Sequence, residues 1–170
     1  MGSSHHIYFS GPYRHQNWSF KNSYIDYILK HPSSVKVWRK MVQSCKYFFA
    51  KNSIVAFEQL FCRNEKWRVY LRNQTLKDIR YTSNPLKFWI TANIELANCS
   101  VPPLISRIYK LNARFSDFSE QMLSYNEFLY FSANVAYLGF YNTIVKNDDG
   151  SIVPFEKLVE GLPKLKEAVL

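Results

Sequence analysis

Residues 24–52 read YIDYILKHPSSVKVWRKMVQSCKYFFAKN, and what they become decides how the remaining residues are organised. Ile25, Ile28 and Leu29 fall at i, i+3 and i+4, so a helix over 24–30 gathers them on one face. Ser23 offers an N-cap, and Pro32 closes the helix because it has no amide hydrogen to donate. Ser33 and Ser34 cap a second helix over 34–45, in which Val37, Trp38, Met41, Val42 and Cys45 form an apolar stripe. Arg39, Lys40, Gln43 and Ser44 fill the opposite side. From Lys46 to Asn52, Tyr47, Phe48 and Phe49 make a compact aromatic turn. Helices this short, over about 30 residues, cannot bury enough surface to stand alone, so they must pack on more chain.

At Ile25–Leu29 (IDYIL) and Val37–Phe48 (VWRKMVQSCKYF) the chain resembles an F-box, the adaptor-binding motif of ubiquitin-ligase substrate receptors. Phe20-Lys21 stands where that family usually enters with Leu-Pro. The resemblance implies that Tyr24, Ile28, Leu29, Trp38 and Val42 contact a Skp-type adaptor protein. It places the chain near the divergent F-box families expanded in nematodes.

Composition sets outer bounds on the fold. With 47% apolar and 17% aromatic residues there is ample material for a core, so global disorder is excluded. No run approaches 18 consecutive apolar residues, so no membrane-spanning helix is expected. The N-terminus MGSSHHIYFS lacks a basic region followed by an apolar stretch, so no secretory signal is expected. Cys45, Cys62 and Cys99 match neither a zinc pattern nor a disulfide framework and fit a reducing compartment, cytoplasmic or nuclear. The sequons at Asn17, Asn73 and Asn98 then carry little weight. The net charge of +9 is uneven: residues 1–85 hold 14 Lys/Arg against 4 Asp/Glu, and residues 86–170 hold 8 against 9. A basic first half admits a nucleic-acid-binding module as an alternative, although no basic run exceeds two residues.

Residues 1–22 read as an irregular arm whose Trp18 and Phe20 tuck under the first helix. Ile54, Val55, Phe57, Leu60 and Phe61 continue a helical face over 53–61. Trp67, Val69 and Leu71 then alternate with Arg68, Tyr70 and Arg72, the pattern of a half-buried strand. Asn73 to Pro85 is turn-rich, and Leu86, Phe88 and Ile90 alternate again over 86–91.

The second half carries an internal regularity. Val101, Leu104, Ile105, Ile108 and Leu111 recur 27 residues later as Phe128, Phe131, Ser132, Val135 and Leu138, and again as Phe155, Leu158, Val159, Leu162 and Leu165. Each set starts as a helical face and runs into a strand-like stretch: RIYKLNARF, NVAYLGFYN, GLPKLKEAV. Helices are expected over 101–109, 126–133 and 154–161, with strands over 111–115, 135–141 and 165–169. This resembles a leucine-rich repeat, whose units stack to hide an apolar face that no single unit can hide. The resemblance implies an α/β array with a mostly parallel sheet. It also implies that the strand residues pointing away from the core meet a target protein. Those are Lys110, Asn112 and Arg114, then Tyr137 and Tyr141, then Lys164 and Lys166, a row suited to a short acidic peptide. The loop around Asp148, Asp149 and Gly150 lacks the ligand spacing of a calcium site.

No catalytic constellation emerges. His5, His6, His15 and His31 lie in the first 31 residues with no nucleophile or acid beside them. No cofactor or metal site is expected. The expected organisation is an arm over 1–22, an F-box-like motif over 23–62 and a leucine-rich-repeat-like unit over 63–170. Taken together, the two resemblances imply a substrate receptor that binds a Skp-type adaptor and an unknown target. An interaction scaffold that has lost the adaptor is the remaining alternative.

Overall fold

The computed structural model describes Ser19 and residues 21–70, 76–79 and 86–170. The expected arm, the end of the strand at Leu71, the turn-rich stretch from Asn73 and the sequons at Asn17 and Asn73 lie wholly or mostly outside these residues. The chain forms two compact units, residues 1–54 and 55–170.

The first unit contains α1 (Asn22–Lys30), α2 (Val35–Ser44) and α3 (Lys46–Lys51). Ile25 and Leu29, one turn apart, are the buried residues of α1. Ser23 is not the N-cap: α1 already starts at Asn22, and Lys21 caps it with no side-chain bond. Ser34 does cap α2, its hydroxyl accepting from Val37 N at 3.2 Å. Cys45 adopts an extended conformation that breaks the path between α2 and α3. The aromatic turn expected after it is itself a helix, with Phe48 buried. Two long-range hydrogen bonds pin the unit. Trp38 Nε1 donates to Ile54 O at 3.0 Å, and Asn52 Nδ2 donates to Leu29 O at 2.6 Å.

Residues 53–61 are not helical. They open β1 (Ile54–Arg63), which turns through Asn64 and Glu65 into β2 (Lys66–Tyr70) and then β3 (Leu76–Ile79), all antiparallel. Both turn residues have positive φ, 48° and 61°, the left-handed geometry that a two-residue hairpin requires. Ile54, Phe57 and Leu60 satisfy a helical spacing, but β-branched and aromatic residues serve a strand equally well. Pairing decides it: Leu60 lies against Val69 and Cys62 against Trp67, and all four are buried.

The rest of the second unit is β4 (Lys87–Ala97), α4 (Pro102–Ile105), β5 (Ile108–Leu111), β6 (Phe115–Ser119), β7 (Met122–Ser124), α5 (Tyr125–Ser132), β8 (Tyr137–Tyr141), β9 (Ile144–Lys146), α6 (Phe155–Glu160) and β10 (Glu167–Val169). The fold is mixed α/β with a mostly parallel central sheet, ordered β10-β8-β6-β4-β1-β2-β3, and β5 also pairs with β4. Thr91 Oγ1 bonds Phe57 O and Asn64 N bonds Ala97 O, so β1 and β4 run the same way. The helix expected over 101–109 stops at Ile105, because Ile108–Leu111 is recruited as β5 beside Phe88–Ile90. Helix α5 carries a reciprocal cap: Ser124 Oγ accepts from Glu127 N at 3.2 Å, and the Glu127 carboxylate accepts from Ser124 N at 2.8 Å.

The repeat of the sheet is 22 residues, not 27. Asn93 pairs with Phe115 and Phe115 with Tyr137, a step of 22 each, whereas Glu167 pairs with Tyr137 at a step of 30. Met122 pairs with Ile144 at the same step of 22 in the small parallel sheet of β7 and β9. Each long strand ends on a left-handed residue, Asn98, Glu120 and Asn142, again 22 apart. All fifteen residues of the 27-residue pattern are buried or half-buried. Their spacing mixes helix and strand positions that the sheet does not align. The row facing the helices is Ile94, Ser116 and Leu138, then Leu96, Phe118 and Phe140. Phe128 of α5 packs between Phe118 and Phe140 with ring centroids 6.0 and 6.2 Å away. Burial of such side chains contributes about 1.5–3 kcal/mol each and is the main force holding this layer.

Candidate functional site

Strand alternation sends the other set of side chains to the outer face of the sheet. There Asn93, Phe115 and Tyr137 form one row, Glu95, Asp117 and Gly139 the next, and Ala97, Ser119 and Tyr141 the third. A trough of about 440 Å³ opens on this face, between Phe61, Arg63, Lys66, Arg68 and Tyr70 of the hairpin and Glu95, Asp117 and Ser119 of the parallel strands. Gly139 leaves room for the Asp117 carboxylate, since a Cβ there would stand 2.6 Å from Asp117 Oδ2.

The electrostatics of the trough are divided. Burial holds the Glu95 carboxyl above the usual carboxylate range, the neighbouring Asp117 carboxylate adds to that, and Arg63 works against it. Arg68 pairs with Asp78 at 3.2 Å, but both side chains are largely exposed, so the pair adds little stability. The floor is therefore acidic under Glu95 and Asp117, and one wall is cationic and aromatic. Such a surface fits an extended segment of mixed charge.

Residues singled out as target-binding are dispersed around this face. Tyr137 and Tyr141 stand exposed on β8, on either side of buried Gly139. Arg114 and Lys166 lie where β6 and β10 begin, linked through Ala136: Ala136 N bonds Arg114 O at 2.8 Å and Lys166 N bonds Ala136 O at 2.9 Å. Lys110 and Asn112 are engaged by Trp89, whose ring lies 5.2 Å from Lys110 Nζ and whose Nε1 donates to Asn112 Oδ1 at 2.8 Å. Lys164 Nζ donates to Asn134 Oδ1 at 2.6 Å. The row is thus split between tyrosines on the face, Arg114 and Lys166 at the strand starts, and Lys110 and Lys164 engaged by Trp89 and Asn134. The carboxylate pair and the hairpin wall were not singled out from sequence. The signal that finds them is the 22-residue spacing of Glu95, Asp117 and Gly139.

On the helical unit, Tyr24, Tyr27, Ile28 and Val37 are exposed at 61, 66, 41 and 40%, while Leu29 and Trp38 are buried and Val42 is half-buried. Of the five residues expected at an adaptor, Tyr24 and Ile28 reach the surface, and Leu29 and Trp38 hold the helices together. Tyr27 shares this surface, its ring tilted against His31 with centroids 5.0 Å apart. The polar loop before α6 is closed on itself: Asp149 Oδ1 accepts from Ser151 N at 2.9 Å and from its hydroxyl at 2.6 Å. Among the described residues, no group of three or more His, Cys, Asp or Glu could hold a metal ion. None of their helices is long and apolar enough to cross a membrane.

No protein-family model, no curated protein and no solved structure matches the chain.

Proposed function

We propose that this chain is a substrate-receptor subunit of a Skp–cullin–F-box ubiquitin ligase. The helices of residues 22–51 dock on a Skp-type adaptor, the outer sheet face holds a target protein, and the ligation chemistry belongs to partner subunits. One observation carries the reading. The two helices that resemble an F-box present Tyr24, Tyr27, Ile28 and Val37 to solvent, although their other sides supply the buried Ile25, Leu29 and Trp38. Large apolar side chains grouped this way need a partner to cover them. The leucine-rich-repeat-like reading of residues 63–170 belongs to the same proposal. A step of 22 lies in the range of such repeats, and the open face supplies tyrosines and cations as contact groups.

The test is adaptor capture by Ile28→Asp. Ile28 is already 41% exposed, so the free protein solvates the new carboxylate and stays folded. In a dry interface the same charge costs on the order of 3 kcal/mol, and capture falls by roughly 100-fold. Leu29→Asp, one residue on and only 4% exposed, unfolds the helical unit instead. A folded Ile28→Asp protein that captures the adaptor like the unsubstituted chain overturns the proposal.

A further inference from the structure

Cys62 and Cys99 are 37 positions apart in sequence, yet they meet in the fold. Cys62 is buried near the end of β1, and half-buried Cys99 follows the end of β4. Each thiol acts on the other as a neighbouring group, and both are free. The segment that carries Cys99 is laced to the β1–β2 turn on both sides of the pair. Asn64 N donates to Ala97 O at 3.1 Å, Asn98 Nδ2 donates to Asn64 Oδ1 at 3.1 Å, and Ser100 N donates to the Glu65 carboxylate. Gln121, with its amide oxygen towards the backbone, accepts from Asn98 N at 2.7 Å and Cys99 N at 2.9 Å, and its amide nitrogen donates to Cys99 O at 3.1 Å. These bonds fix the backbone around Cys99 beside the end of β1.

We propose that Cys62 and Cys99 form a thiol-modification site that a peroxide closes to a disulfide. The half-buried member reacts first. The neighbouring Cys62 thiol favours the Cys99 thiolate, holding Cys99 below the usual thiol range, while Cys99 and burial push Cys62 up. The Cys99 thiolate attacks one peroxide oxygen and the O–O bond breaks. The departing hydroxide takes up a proton as water, and Cys99 becomes a sulfenic acid. Cys62 then attacks the sulfenic sulfur, the S–O bond breaks, and the expelled hydroxide leaves as a second water with the Cys62 proton. Two thiols are oxidised by two electrons and one peroxide is reduced to two waters. The bond staples the end of β1, a strand of the trough's hairpin wall, to the end of β4.

Peptide mapping of the full chain tests this. The protein is treated with hydrogen peroxide, unfolded, and alkylated to mark the remaining thiols. Cys62 and Cys99 are expected to lose alkylation together, as one cross-linked peptide pair that dithiothreitol restores. The midpoint of thermal unfolding rises by several degrees, because the staple closes a long loop in the unfolded chain. In Cys99→Ser, Cys62 stays alkylatable at the same peroxide dose. Full alkylation of both cysteines after peroxide overturns the proposal, and so does Cys99 oxidised alone to sulfinic acid with Cys62 still a thiol. Equal oxidation of Cys62 in folded Cys99→Ser overturns the order of attack. If that variant does not fold, the map of the unsubstituted chain decides the pairing.

Discussion

Glu95→Gln is expected to make the protein more stable at neutral pH, and the reason lies in the register of two strands. Glu95 of β4 and Asp117 of β6 are paired positions on neighbouring parallel strands, about 4.8 Å apart at the backbone, so their carboxylates stand roughly 6 Å apart. Two like charges at that distance repel by about 0.7 kcal/mol in a dielectric of water and about 3 kcal/mol at an effective value near 20. Glu95 is half-buried at the floor of an open trough, and Arg63 offsets part of the repulsion, so the lower end applies, about 1 kcal/mol. The sign follows from the proton. Burial, and then Asp117, hold the folded carboxyl above its ordinary value, so the folded state binds this proton more tightly than the unfolded chain. That contribution is complete below the unfolded value of about 4.3 and disappears as pH rises through the folded value. Glutamine keeps the shape without the charge. Urea unfolding at stepped pH is the assay: the two proteins coincide near pH 3, and the variant pulls ahead as the pH rises to neutrality. At neutral pH the gain corresponds to roughly 4 °C in unfolding midpoint. A variant less stable than the parent at neutral pH, or a gain that does not vary with pH, refutes the argument.

Two further substitutions probe the interior. Trp38→Phe removes the donor to Ile54 O, leaves a buried carbonyl unpaired, and is expected to cost about 1–3 kcal/mol of stability in chemical denaturation. Unchanged stability would mean that this carbonyl finds another donor. Ser132→Ala is expected to leave stability unchanged or raise it by up to about 1 kcal/mol, because the buried Ser132 hydroxyl has no hydrogen-bond partner among the described residues. A loss above about 1 kcal/mol in the same assay would reveal a bond to that hydroxyl.

The helices were legible wherever a period and a stop signal coincided. The span closed by Pro32 and the run capped by Ser34 gave both, the run over 126–133 gave the period alone, and α1, α2 and α5 lie where the spacing puts them. Ile54–Arg63 was misread because an apolar run of that length suits a helix or a strand, and only its partners Val69 and Trp67, downstream in the chain, choose between them. The step of 22 was hidden because Ser116 occupies the place of Ile94 and Leu138. Its hydroxyl is satisfied by Phe131 O at 3.0 Å, so a polar residue sits in the core row and breaks the apolar pattern. The trough escaped notice for a related reason. Its acidic floor and basic wall come from strands that sequence places far apart, and neither half stands out alone.

The constant step between β4, β6 and β8 also bears on how such a protein changes length. A duplication of residues 98–119 would return the chain to the start of an equivalent strand with its corner residue in line. Ile94, Ser116 and Leu138 would gain a fourth member on the same side. An insertion of odd length within a strand would instead turn every later side chain of that strand to the opposite face. Each whole unit widens the outer surface by one strand spacing, about 4.8 Å, without disturbing the hairpin at the other edge. The outer face can thus be widened in discrete increments while the helical unit at residues 22–51 stays the same.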